Sequence, residues 1–342
     1  MATIDDILAV KDDLDRRELE HLRSRHGDPY EKITEEYIHL GNMVASLIDS
    51  RVPELDKRLR EIQTLVVDYH EAEKSGVIND DPLYDIERKV TEKSLSLGYD
   101  LQQNTLSVLA ELDITGEKIR KSKVKGDKHL RKMFIDNSQH FPQQWNSAVR
   151  SGKRISFAKE GESSSYEIDY SVSRFRKPIA KLEIAKGSDG VYSFPNLQKS
   201  LEAEMNNPLD FYSKHEIIHE MTHMYEKGNS TIGTITANFL KARVTDKNGK
   251  RYTYRDFPNV YVDSFPNIFT GKSYNRDFTH NEIMARGTES VLAGANGSLI
   301  GLPSTNSMRR EEELSIINIV PDIEHRNLVL GILAGMELKE SV

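Results

Sequence analysis

The chain has 342 residues, a formal net charge of -7 and no cysteine. The lack of cysteine excludes disulfide frameworks, iron–sulfur clusters and thiolate zinc sites, so a metal can be held only by histidine, carboxylate or main-chain oxygen. The acidic balance argues against nucleic acid as a partner, because nucleic-acid binders are normally basic. The length is typical of about two domains.

The N-terminal sequence carries acidic residues where a signal peptide needs a basic flank, and no apolar run approaches the roughly 18 residues of a membrane span. We therefore expect a cytoplasmic protein that has no membrane partner.

Helical spacing dominates residues 1–125. Apolar residues recur three or four positions apart on both sides of Pro53, which marks a helix start or kink. A further helix is predicted from the turn at residues 79–82 to about Ile119. Long helices joined by short turns are typical of a helical bundle or hairpin. No residue of this segment offers chemistry, so we interpret it as a docking or regulatory domain that contacts a protein partner.

A basic stretch follows the helices, with eight Lys or Arg in residues 118–132. A solvated linker, with the boundary at 126–133, is favoured over a nucleic-acid patch. Beyond it, short runs of β-type residues predict three or four strands between 153 and 194. Helical spacing then predicts helices over 208–226, 231–244, 279–294 and 321–338. The predicted fold class is α+β, with residues 134–342 as the second domain.

The chemistry is concentrated in residues 212–228, which contain two overlapping copies of His-Glu-x-x-His. Residues four apart lie about one turn apart on one helix face, so both imidazoles reach one zinc ion, and the Glu between them acts on a water as general base. The apolar flanks favour the copy formed by His219, Glu220 and His223. His215 lies one turn earlier and is rotated too far to bind the same ion, so we assign it to the surroundings of the metal.

The third ligand is sought on the helix predicted over 279–294. Glu282 and Glu289 lie seven residues apart, about 20° apart on one helix face. Glu282 completes a set of two histidines and one carboxylate with an open fourth position, and Glu289 then holds a ligand imidazole or a positively charged neighbour. Asp263 and Asp277 are weaker alternatives for the third ligand.

Hydrolysis of an amide also needs a group that stabilises the developing oxyanion. Tyr274 and His280 precede the second helix and are the first candidates for this catalytic role. Tyr252, Tyr254 and Tyr261 remain open as alternatives.

The string IIHEMTHMYE resembles the motif helix of zinc metallopeptidase domains found in phage minor head and head-morphogenesis proteins and in related prophage proteins. FPQQWNSAVRSGKRISF, THNEIMARGTE and PDIEHRNLVLGILAG resemble the lead-in, the acidic helix and the closing helix of that family. The resemblance covers residues 134–336. Thr222 stands where the family usually has Gly.

The resemblance implies a zincin-like domain of the gluzincin type, with a small sheet and an active-site helix. Together with the motif, it predicts a zinc metalloendopeptidase in which Zn²⁺ is held by His219, His223 and Glu282, and it carries Glu282 and Glu289 over as acids at or near the metal. The alternative is a phage or prophage assembly protein whose zinc domain is not catalytic. In either case the resemblance implies that the N-terminal helices contact a phage or host protein and offers a virion-associated protein as an alternative to a purely cytoplasmic one.

Overall fold

The computed structural model describes residues 2–23, 29–75, 80–120, 124–125, 128–150, 154–157, 165–169, 179–183, 217–226, 229–293, 298–302, 304–305, 316–317 and 321–336. In this part of the chain the fold is mostly helical with small sheets, which confirms the α+β class at a coarse level. No described helix combines the length and the apolar character that a membrane crossing requires.

The N-terminal segment is helical, as predicted. Its helices are α1 (Ile4–Arg23), α2 (Pro29–Ser50), α3 (Leu55–Lys74) and α4 (Asp80–Glu111). Pro53 lies in the turn between α2 and α3. The prediction that the fourth helix runs to about Ile119 is wrong. The helix ends at Glu111 because Asp113 takes a left-handed conformation, with φ of 56°, and turns the chain away.

Described strands and helices lie within the basic stretch and beyond it. Strand β1 (Val124–Lys125), helix α5 (Lys128–Ser138) and helix α6 (Gln143–Arg150) follow α4. The predicted linker at 126–133 therefore overlaps the first turns of α5, a helix that Phe134 anchors in the core. Strands β2 (Arg154–Phe157), β3 (Ser165–Asp169) and β4 (Ile179–Glu183) complete a sheet of order β1-β2-β4-β3, in which only β3 is antiparallel to its neighbour. Three or four strands are predicted between 153 and 194, and the described residues of that range contain these last three.

The described residues of the C-terminal part form four helices and short strands. The helices are α7 (residues 217–226), α8 (Ser230–Val244), α9 (Ile283–Ala293) and α10 (Ile323–Gly335). Between α8 and α9 lie the hairpin strands β5 (Thr253–Tyr254) and β6 (Phe257–Tyr261) and a 3-10 helix (Ile268–Gly271). After α9 come a 3-10 turn (Ser298–Ile300) and the paired strands β7 (Ser304–Thr305) and β8 (Ile316–Ile317).

Helix α9 begins four residues later than predicted. The side chain of Asn281 accepts a hydrogen bond from the backbone N–H of Ile283 at 2.9 Å and so caps the helix. A bridge between Ser273 and Asn281 keeps the preceding residues extended. Glu282 is consequently held at the junction between a strand-like segment and the helix, where both elements restrict its position.

Helices α2 and α10 cross with their backbones in contact. A Cβ atom built on Gly41 would lie 1.6 Å from the carbonyl oxygen of Asn327, and one built on Gly331 would lie 1.8 Å from the carbonyl oxygen of Tyr37. Near this crossing, Arg326 makes two hydrogen bonds of 2.9 and 2.7 Å to the carboxylate of Asp49. Buried side chains from both halves of the chain form one hydrophobic core. The domain boundary near residue 130 stays a prediction, but the N-terminal helices pack directly on the C-terminal ones.

We predict that Gly41→Ala destabilises the protein by at least about 3 kcal/mol, because the new methyl group forces two helix backbones apart. The measurement is the free energy of unfolding from urea denaturation. Ser46→Ala, at an exposed position of the same helix, is the matched control and should change that free energy by less than about 0.5 kcal/mol. Equal stability of Gly41→Ala and wild type would contradict the close crossing.

A buried histidine links α10 to the start of α9. The ring Nε2 of His325 lies 2.8 Å from the carbonyl oxygen of Ile283, and the ring packs against Phe239 and Phe265. Burial lowers the pKa of His325 from its ordinary value of 6.5, against the opposing effect of Asp322. The unfolded chain therefore binds a proton at this residue near pH 6.5, whereas the folded chain does so only at lower pH. Stability is lost as the pH falls through this window.

We predict that His325→Gln makes the stability less sensitive to acid, because the amide can still donate to Ile283 but cannot titrate. Between about pH 5 and 7.5, the slope of unfolding free energy against pH should become shallower by up to about 1.4 kcal/mol per pH unit. Urea denaturation at a series of pH values measures this slope. His39→Gln, at an exposed position of α2, should leave the slope of the wild type unchanged.

Candidate metal centre

The motif helix α7 is buried along almost its whole length. Ile217, Ile218, Met221 and Tyr225 belong to the hydrophobic core. Between these apolar positions, the helical spacing places the rings of His219 and His223 on one face, with centroids 4.8 Å apart and planes at 84°. The sequence prediction of one helical face bearing both imidazoles is therefore met by the geometry.

Helix α9 is held against α7 by a buried pair of hydroxyl groups. Thr222, at the position where the resembling family has Gly, is fully buried, and its hydroxyl lies 2.6 Å from that of Thr288. The same hydroxyl donates to the carbonyl oxygen of Ile218 at 2.8 Å. A threonine fits inside the motif because its polar atom finds both partners.

Glu282 brings its carboxylate to the two imidazoles. Its Oε2 lies 3.3 Å from Nε2 of His219, and its Oε1 lies 3.7 Å from Nε2 of His223. One ligand atom from each of the three side chains lies within 4.8 Å of the other two. For zinc bonds of about 2.0–2.1 Å, two ligands of a tetrahedron lie about 3.4 Å apart. These residues could therefore hold a metal ion after small side-chain movements.

Each imidazole is oriented by a carboxylate on its far side. Nδ1 of His219 is hydrogen-bonded to Glu289, and Nδ1 of His223 is 2.8 Å from Oε2 of Glu226. A carboxylate partner favours placement of a proton on Nδ1, so the lone pair of Nε2 is directed toward Glu282 once Nε2 carries no proton. Glu289 thus lies where the sequence analysis expects it. Glu226 was not predicted, although its position three residues after His223 on the same helix was a usable signal.

The charges of the cluster are strongly coupled. Burial opposes protonation of His223, but the hydrogen bond with Glu226 and the proximity of Glu282 outweigh it and raise the pKa of His223 to about 10. Burial alone would raise the pKa of Glu282, but the two histidines and Arg286 lower it well below its ordinary value. Glu282 is thus an anion at neutral pH. A metal that binds His223 displaces a proton from the His223 ring.

Two further charged groups border the site. Glu220 is almost completely buried, and its Oε1 lies 3.9 Å from Nε2 of His219, on the side where the imidazole nitrogens face Glu282. Arg286 contacts Glu289 at 3.0 Å and lies 3.6 Å from Glu282. Arg286 was not predicted, although it follows Glu282 by one helical turn. It offsets part of the negative charge of the two glutamates.

Tyr274 and His280 meet at the edge of the cluster. Their rings stack with centroids 4.5 Å apart, and the hydroxyl of Tyr274 donates a hydrogen bond to Oε1 of Glu282. The ring of His280 also meets that of His223 edge-on, with centroids 5.8 Å apart. The structure therefore brings both predicted residues to the site.

The other candidates are elsewhere or outside the described residues. Asp263 pairs with Arg243 at 2.7 Å, and neither it nor Asp277 belongs to the described group of metal-binding geometry. Among the alternative tyrosines, Tyr252 is exposed, and the ring of Tyr261 packs on Phe278. No contact with the cluster is described for the three alternative tyrosines, Tyr252, Tyr254 and Tyr261. His215 lies outside the described residues.

Comparison with protein-family models, curated proteins and solved structures finds no match to this chain. The functional assignment therefore rests on the residues and their geometry.

We predict that Glu226→Gln weakens Zn²⁺ binding by about 10- to 100-fold, the usual effect of losing a carboxylate that orients a ligand histidine. The amide keeps the size of the side chain but removes the charge that favours proton placement on Nδ1 of His223. Competition with a chromophoric chelator measures the dissociation constant. Glu71→Gln, at an exposed position of α3, should bind Zn²⁺ as the wild type does, and the same affinity for both variants would contradict an orienting role of Glu226.

Proposed function

We propose that the chain is a zinc-dependent metallopeptidase of the gluzincin type, with a zincin-like domain in residues 134–342, that hydrolyses peptide bonds of a protein substrate. The observation that carries this proposal is the convergence of two imidazole Nε2 atoms on one buried carboxylate. The Nδ1 atom of each ring is hydrogen-bonded to a carboxylate of its own. An ordinary ion pair between histidine and glutamate does not need both nitrogens of both rings to be directed in this way.

The donor set fits zinc. His219, His223 and Glu282 offer two nitrogens and one oxygen, and the Oε2 atom of Glu282 is buried without a hydrogen-bond partner. A buried carboxylate oxygen normally has such a partner, and a cation at this position would replace it. Three protein ligands leave one tetrahedral position for a water or a substrate oxygen, which is the arrangement of catalytic rather than structural zinc.

The proposed mechanism assigns a role to each neighbouring group. When bound, zinc would supply a Lewis acid that lowers the pKa of water and polarises the substrate carbonyl. The carboxylate of Glu220 takes a proton from the attacking water as the water oxygen bonds to the carbonyl carbon. Glu220 then gives this proton to the amide nitrogen as the carbon–nitrogen bond breaks. Its burial beside His219 suits this role because it excludes bulk water from the proton transfer.

The imidazole of His280 is the group that we assign to the carbonyl oxygen. It approaches His223 from the segment before α9 and lies on the same side of the cluster as Tyr274. A ring N–H directed at the developing oxyanion stabilises it.

The main alternative is an assembly protein in which zinc only stabilises the fold. Such a site is normally closed by four protein ligands. In the described part of the chain the group of metal-binding geometry has three members, which favours the catalytic proposal. The similarity of residues 134–336 to phage head-morphogenesis proteins stays a prediction, as does a phage or host partner for the N-terminal helices.

We predict that Glu220→Gln reduces peptide hydrolysis by at least about 100-fold, because the amide cannot accept the proton of the water. The variant should still bind one equivalent of zinc, since Glu220 is not a ligand. The assay combines elemental analysis with the release of peptides from dye-labelled casein and from a cell lysate, followed by mass spectrometry.

Glu71→Gln serves as the matched exposed control and should cleave at the wild-type rate. If Glu220→Gln also cleaves at that rate, the assignment of the general base is wrong. A wild-type protein that binds no zinc would contradict the metal site itself.

A further inference from the structure

The two oxygens of Glu282 have different surroundings. Oε1 accepts the hydrogen bond of the Tyr274 hydroxyl, whereas Oε2 has no hydrogen-bond partner although it is buried. Oε2 is also the oxygen closer to His219, with a separation of 3.3 Å from Nε2. The carboxylate therefore presents one oxygen that already accepts a hydrogen bond and one, 3.6 Å from Nε of Arg286, that accepts none and is available to a metal cation.

Several contacts hold the Tyr274 hydroxyl in place, even though the residue is 47% exposed. Its ring stacks on His280, and Nζ of Lys272 lies 4.4 Å from the ring centroid. The backbone N–H of Tyr274 donates to the carbonyl oxygen of His280 at 2.8 Å. The bridge between Ser273 and Asn281 joins the same two segments. The strand-like pairing that fixes Glu282 thus also fixes the phenol that contacts it.

From this geometry we propose that Tyr274 is a positioning residue that makes Glu282 bind the metal through Oε2 alone. This inference rests on the metal site of the proposed function but does not require proteolysis. A carboxylate that binds through both oxygens would fill two positions around the ion, including the one needed by water or substrate. By engaging Oε1, the Tyr274 hydroxyl keeps that position open. The phenol acts through Glu282, in contrast to the oxyanion-stabilising role expected from the sequence.

The two roles of Tyr274 predict different effects in the absence of substrate. A residue that only stabilises the oxyanion has no influence on the resting metal site. A residue that holds one oxygen of Glu282 changes the coordination of the ion as soon as its hydroxyl is removed. Tyr274→Phe tests this difference because it keeps the stacked ring and deletes only the donor.

The experiment uses the full chain loaded with one equivalent of Co²⁺, because four-coordinate Co²⁺ absorbs visible light much more strongly than five- or six-coordinate Co²⁺. We expect the wild type to show the intense four-coordinate spectrum. Tyr274→Phe should still bind one equivalent of Co²⁺, with an affinity lowered by about 10-fold, the lower end of the usual effect of losing a partner of a ligand, because the second oxygen of Glu282 compensates. Its visible absorption should fall severalfold as Glu282 adds its second oxygen. The thermal unfolding midpoint checks that the variant is folded.

Tyr252→Phe is the matched control. Tyr252 is an exposed tyrosine before β5 whose hydroxyl lies 3.5 Å from Asp246 and has no described contact with Glu282. This control should show the wild-type spectrum. If the Tyr274→Phe and wild-type spectra are the same, the positioning role is wrong. A loss of turnover with an unchanged spectrum would then assign Tyr274 to the oxyanion. If the wild type takes up no Co²⁺ or Zn²⁺, the proposed metal site itself fails, which is a distinct outcome.

Discussion

The candidate site depends on the packing of α7 against the start of α9. The two imidazoles come from one helix and the carboxylate of Glu282 from the junction before the other, so neither element can form the group alone. Two contacts hold the helices together at this point, the buried hydroxyl pair of Thr222 and Thr288 and the hydrogen bond from His219 to Glu289. The second contact also sets the tautomer of a ligand. Packing and ligand orientation are therefore produced by the same interactions.

The charge balance of the cluster favours a cation. Glu220, Glu226, Glu282 and Glu289 lie within two helices and their junction, and their side chains are all less than one-fifth exposed. In the described part of the cluster, Arg286 is the permanent positive charge that contacts them. Burial of several carboxylates near one another is costly unless opposite charge is present. The raised pKa values of His223 and Glu226 express this cost, since protons reduce the net negative charge. A divalent ion at the imidazoles offsets it more completely.

Local spacing made part of this arrangement predictable from the sequence. The positions of His219 and His223 follow from the helical repeat. The same repeat predicts that Glu282 and Glu289, which are seven residues apart, lie on one side of the second helix. The orientation of each imidazole was less accessible, because several acids lie within reach of any helical histidine. The spacing of Glu226 from His223 was a usable signal, but the choice of Glu226 among the nearby acids depends on the burial of α7. The start of α9 was also missed, because the cap at Asn281 depends on a strand-like pairing with Ser273 that has no local signature.

The packing of the N-terminal helices on the C-terminal ones cannot be predicted from residue spacing. The periodic pattern of residues 1–125 predicts helices, but it does not say what their apolar faces cover. In the structure α2 lies against α10, where Gly41 and Gly331 let the backbones meet. Helix α10 in turn contacts the carbonyl oxygen of Ile283 through His325, one residue from the candidate ligand Glu282. The N-terminal helices thus support the element that positions the carboxylate. Whether or not these helices also dock a partner, their packing on α10 contributes to the geometry of the candidate metal centre.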